Sequence, residues 1–106
     1  MHPSVHSVYT TGSWQPFPGQ VEAFVAAWEE SAGWAQPSTE PVGAILGLDL
    51  RAEGRYVSFL GWDDLEAVRG WKGHPELKER MSRAQRFVDR FAPTEVEVVA
   101  RVETAA

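Results

Sequence analysis

The chain has 106 residues, 43% hydrophobic and 24% charged, and ten Lys and Arg against fifteen Asp and Glu leave a net charge of −5. That size and make-up fit one soluble folded domain and exclude a chain that is disordered throughout. The acidic balance excludes a broad attraction to nucleic acid or anionic membrane, and the absence of cysteine excludes disulfides, thiol catalysis and thiolate metal sites.

The opening, Met1-His2-Pro3-Ser4-Val5, has neither the basic nor the apolar stretch of a signal peptide, and no apolar run approaches the length of a membrane span. A cytoplasmic address is expected. Residues 1–106 read as a single domain, with loose ends at 1–4 and 104–106. His2 and His6 are four apart, but Pro3 and the extended pattern around them hold the two rings too far apart to share an ion.

Val5 to Thr11 is rich in β-branched and aromatic residues and predicts a first strand ending at Gly12. Val5, Ser7 and Tyr9 share one face of it, and His6, Val8 and Thr10 the other. Gly12 to Gly19 carries two prolines and reads as a loop. Gln20 to Gly33 sets Val21, Phe24, Val25, Trp28 and Ala32 on one stripe, the pattern of an amphipathic helix stopped by Gly33.

Val42 to Leu50 alternates and predicts a second strand, and a short turn through Gly54 returns the chain as a third strand over Arg55 to Trp62. Asp63-Asp64-Leu65-Glu66 caps a short helix bearing Leu65, Val68 and Trp71. Pro75 opens a longer helix, with Leu77, Met81, Ala84, Val88 and Phe91 on one face, Phe87 beside them and Pro93 as its stop. Arg80, Arg83, Arg86 and Arg90 make this helix basic, and Glu76 and Glu79 stand four residues ahead of Arg80 and Arg83 as surface pairs. Thr94 to Glu103 alternates as a fourth strand. The order is βαββαβ with a split second helix: a ferredoxin-like α+β fold on an antiparallel sheet. Both helical layers fall on one face. The aliphatic residues Ile45 and Val99 on the other face call for a cover, which a homodimer supplies.

The middle of the chain carries a resemblance. Pro18-Gly19-Gln20-Val21-Glu22-Ala23-Phe24 opens the first helix, and Arg55 to Ala67 (RYVSFLGWDDLEA) runs the third strand into the second helix. Trp71-Lys72-Gly73-His74-Pro75-Glu76 follows. Together they resemble the antibiotic biosynthesis monooxygenase (ABM) domain family of the dimeric α+β barrel superfamily, most specifically over Gly54 to Glu76. The resemblance implies a homodimer of sheets packed face to face and a pocket between each sheet and its helices. It also implies a cofactor-independent monooxygenase that uses O₂ on a small aromatic, polyketide-like substrate. The alternative is a non-catalytic, small-ligand-binding protein of the same fold.

His74 is expected as a general base at the pocket mouth, or else as a helix-capping residue. Tyr9 is a candidate donor to a substrate oxygen, or a cross-strand packing residue. Trp62, Trp71, Phe24, Trp28, Phe59, Met81 and Phe87 are candidates for the pocket lining, and the bland reading of the same rings, with Phe91, is a filled core without a cavity. Five Trp, five Phe and two Tyr make this aromatic content high. Haem-degrading relatives of the family use an Asn on the first strand, a Trp in the second helix and a His about three turns later. Trp71 matches, but the chain has no asparagine and Met81 stands where the histidine is needed. No cofactor is therefore expected, haem included, and no metal site.

Overall fold

The structure is a computed structural model that describes residues 7–35 and 43–102. His2, His6 and the expected loose ends at 1–4 and 104–106 lie outside the described residues. The elements are β1 (Val8–Pro16), α1 (Val21–Ala35), β2 (Ala44–Leu48), β3 (Tyr56–Trp62), α2 (Leu65–Lys72), α3 (Pro75–Gln85) and β4 (Val88–Glu97). The strands pair antiparallel in the order β2-β3-β1-β4. This is the expected ferredoxin-like α+β arrangement, with the second helix split at Gly73-His74.

Local chemistry explains the well-matched middle. Asp64 caps α2, its Oδ1 accepting the Ala67 N–H at 2.8 Å. Pro75 sits in the first turn of α3, where a missing N–H costs nothing. The β2–β3 turn uses Gly54 at φ +76°, and Arg55 closes it with an ion pair to Asp49 at 3.1 Å.

The ends of the sheet depart from the sequence reading. β1 does not stop at Gly12 but runs on to Pro16, so Trp14 lies within the strand. A side chain at position 12 would have its Cβ 2.8 Å from Phe91 Cε1 and 2.9 Å from both Ser58 Oγ and Trp14 Nε1. Glycine is there to let rings close over the strand, not to break it. α3 ends at Gln85, earlier than expected, and β4 starts at Val88. Val88 and Phe91 therefore belong to a strand whose register shifts at Gln15/Pro16. The shift lets residues spaced three apart face the same side, which imitates a helical stripe. Pro93 falls inside β4 opposite Gly12, tolerated because β4 is an edge strand. α1 continues past the exposed Gly33 to Ala35.

The basic face is partly as expected. Arg80 and Arg83 on α3 bind Glu76 and Glu79 and share Glu30 of α1 at 3.1 and 3.2 Å, while Arg80 lies 5.1 Å over the Trp34 ring. Arg86 caps α3 and Arg90 belongs to β4.

The core between sheet and helices is built in two parts. Val8, Leu60, Trp62 and Val68 form one, and Trp14, Phe24, Ala84 and Val88 the other, with Trp28 packed against both. The opposite face of the sheet carries Tyr9, Val57, Phe59, Ile45 and Val96. There Ile45 (47% exposed), Phe59 (42%) and Val96 (44%) remain open, and Ile45 lies directly across from Phe59. Val99, expected on this face, lies beyond the end of β4.

Candidate active site

Between the two parts of the core lies a cavity of about 540 Å³. Its floor is the helix-facing row of the sheet: Thr10, Gly12 and Trp14 of β1, Ser58 and Leu60 of β3, and Phe91, Pro93 and Glu95 of β4. Trp28, Ser31 and Ala32 of α1 form one wall, and Leu77, Met81 and Ala84 of α3 another. Trp71 and Lys72 of α2 complete it. The volume is in the range of small-molecule sites, roughly 300–1,000 Å³, and the lining is mostly apolar with few polar groups, as such sites are.

Two diagonal cross-strand hydrogen bonds fix the floor. Trp14 Nε1 on β1 donates to Ser58 Oγ on β3 at 3.0 Å, and Trp62 Nε1 on β3 donates to Thr10 Oγ1 on β1 at 2.9 Å. Each buried indole is satisfied by the hydroxyl of the neighbouring strand. The Trp14 and Phe91 rings stack with centroids 4.0 Å apart. Trp71 differs. Its ring lies against Trp62, centroids 4.9 Å apart, yet among the described residues its Nε1 is the buried side-chain polar atom that has no hydrogen-bond partner. Leaving such a donor unpaired costs about 1–3 kcal/mol. The Trp71 ring lines the cavity, while its N–H is closed off from both the cavity and any protein acceptor.

The ionisable side chains of the lining are Lys72 and Glu95, and they form an ion pair that ties α2 to β4. Both side chains are partly exposed, so although Glu95 springs from a floor strand the pair lies at the edge of the cavity.

Of the residues singled out in the sequence, Trp28, Trp71 and Met81 line the cavity. Trp62 backs Trp71, Phe24 is fully buried behind the lining, and Phe87 packs into the Trp14–Phe24 cluster. Phe59 and Tyr9 lie on the rows of the opposite sheet face, Tyr9 across from Gly61 and Val96. The expected pocket role of Phe59 gives way because its strand parity turns it from the helices. His74 is the N-cap of α3, exposed, its Nδ1 accepting the Glu76 N–H at 3.1 Å and its ring edge-on to Trp34 with centroids 5.0 Å apart. It is not part of the cavity lining. Thr10, Ser58, Lys72 and Glu95 are not singled out in the sequence: only the strand register puts Thr10, Ser58 and Glu95 on the helix side, and Lys72 of α2 joins them through its pair with Glu95. The alternating pattern of β1 was the available signal for Thr10. Among the described residues no three His, Asp or Glu side chains gather in a way that would hold a metal ion, and no helix is long and apolar enough to cross a membrane.

A ferredoxin-like antiparallel sheet with a mostly apolar cavity under its helices defines the class of fold. A model of the antibiotic biosynthesis monooxygenase family matches residues 7–83, and the chain belongs to that family. Its structure is similar to that of SnoaB from Streptomyces nogalater, described as a cofactor-independent oxygenase. The TM-score is 0.78 at 13% identity, over 93% of this chain and 99% of that one. A Deinococcus radiodurans protein proposed to be an antibiotic biosynthesis monooxygenase superposes with a TM-score of 0.73 at 16% identity, over 93% and 99% of the two chains. A conserved protein from Methanosarcina mazei does so at 0.70 and 12%, over 88% and 93%. At these identities the likeness establishes the fold. No curated protein matches the sequence significantly.

Proposed function

We propose that this protein is a cofactor-independent monooxygenase that oxidises a small aromatic with an acidic C–H conjugated to a carbonyl, working as a homodimer. The observation that carries this reading is the mostly apolar cavity walled by Trp28, Trp71 and Met81, large enough for a flat ligand. The likeness to SnoaB, described as a cofactor-independent oxygenase, supports it.

The chemistry asks little of the protein. Loss of a proton makes the bound aromatic an electron-rich anion whose charge rests largely on the carbonyl oxygen. Trp71 Nε1, closed off from the cavity in this structure, reaches that oxyanion by a turn of its ring and donates a hydrogen bond to it, where a charge-assisted bond is strongest. Trp28, Leu77 and Met81 exclude water around it. The anion passes one electron to O₂, and the two radicals combine into a peroxide on the former C–H carbon. Loss of water from the hydroperoxide leaves a new carbonyl. One oxygen atom enters the product, and the other leaves as water with the two substrate hydrogens.

The test is oxygen uptake with dithranol, a dihydroxyanthrone, at neutral pH. The wild type should consume one O₂ per anthraquinone formed, faster than the spontaneous oxidation. Trp71→Phe keeps a ring but removes the N–H, and should lower turnover roughly 10- to 150-fold, the worth of one hydrogen bond to a charged group. Uptake no faster than the spontaneous rate would leave a ligand-binding protein without turnover.

A further inference from the structure

We infer that Glu95 is the group that takes the proton from the substrate carbon, and that Lys72 holds its carboxylate at the cavity mouth. The inference rests on the monooxygenase reading above and supplies the base that reading lacks.

A base must lie within hydrogen-bond reach of the proton it removes, and so must face the ligand. His74 does not line the cavity, and its Nδ1 lone pair is already engaged by the Glu76 N–H. Among the lining residues the ionisable side chains are Lys72 and Glu95. In their ion pair Lys72 is an ammonium with no lone pair to accept a proton, and the wall hydroxyls are far weaker bases than a carboxylate. Glu95 is what remains. The fold also places it well. It stands on the helix-facing row of β4 directly across from Thr10, which lies on the cavity floor. Its partner Lys72 follows Trp71 in α2. The Trp71 ring, the ammonium and the carboxylate thus all border the cavity.

In the step itself the substrate C–H bond breaks. The proton goes to a carboxylate oxygen of Glu95, and the electron pair stays on the substrate as an enolate. Its oxygen meets the Trp71 N–H, and the Lys72 ammonium, released from a now neutral Glu95, lies beside the new negative charge. After O₂ has added, Glu95 returns the proton to the peroxide oxygen.

The experiment separates this step from oxygen chemistry. Full-length protein and dithranol are mixed in D₂O under anaerobic conditions, and exchange of the methylene protons is followed by NMR. The wild type should accelerate exchange, and Glu95→Gln should lose the acceleration by roughly 10²–10⁴-fold. Dithranol binding, read from tryptophan quenching, should stay within about threefold of wild type in Glu95→Gln, which separates lost chemistry from a lost site. Glu95→Asp, which keeps a retracted carboxylate, should fall between the two. Undiminished exchange in Glu95→Gln, or no acceleration by the wild type, overturns the inference. Accelerated exchange without catalysed oxygen uptake would instead overturn the monooxygenase reading and leave Glu95 as a base.

Discussion

Gly12 gives a sharp test of how the cavity floor is packed. Gly12→Ala brings a Cβ to 2.8 Å from Phe91 Cε1 and to 2.9 Å from Ser58 Oγ and Trp14 Nε1. Each of these atoms must retreat by several tenths of an ångström, and Trp14 is only 3% exposed. Overpacking of this kind costs roughly 1–3 kcal/mol. If Ser58 yields, the bond it accepts from Trp14 is weakened, for a further ~0.5–1.5 kcal/mol. Against this stands a gain of about 0.4–1 kcal/mol from a stiffer unfolded chain. The net is about 1–3 kcal/mol of destabilisation, a fall in Tm on the order of 5–15 °C for a domain of this size. Gly33→Ala is the control. Gly33 is exposed in α1 with nothing within 4 Å of its Cβ, so the same substitution should stabilise by about 0.5–1 kcal/mol. Thermal unfolding by circular dichroism reads both, and adding Phe91→Leu to Gly12→Ala should recover part of the loss as a favourable coupling. A Gly12→Ala protein that melts at or above wild type would refute the packing argument.

Two further outcomes follow from the surface. The open face pairs Ile45 with Phe59, and Phe59→Arg should shift a homodimer toward monomer by placing an unpaired charge in the interface; sedimentation equilibrium of a wild type that is already monomeric at micromolar concentration would end the dimer proposal. His74→Ala removes the cap of α3 and should cost about 0.5–2 kcal/mol in urea unfolding. Loss of turnover in that variant at undiminished stability would instead make His74 the base.

The parts of the fold legible in the sequence are those with local signals. The capping carboxylate of Asp64, Pro75 in a first helical turn and the Gly54 turn each act over a few residues, and each stands where the sequence put it. The start of β4, Val88 to Phe91, reads in the sequence as a continuation of α3 because a short apolar run with spacings of three and four fits a helix as well as a strand with a shifted register. Gly12 was read as a breaker because its reason lies 79 positions away in the ring of Phe91. The site shows the same division. Trp28, Trp71 and Met81 sit on helical stripes and were found. Thr10, Ser58 and Glu95 depend on which way a strand faces once it is paired, and Glu95 was placed in a strand whose start was set six residues too late.

The edge of the sheet carries a last consequence. β4 exposes one whole side of its backbone, the kind of template on which chains stack into aggregates. Pro93 interrupts it with a residue that has no N–H, and Asp89, Glu95 and Glu97 add negative charge along the same strand. A second copy brought edge to edge meets a gap in the hydrogen-bond ladder and like charges opposite its own. In-plane growth of the sheet is thereby discouraged, which leaves the apolar face around Phe59 and Ile45 as the route for the homodimer proposed above, an association that would close on itself after two copies.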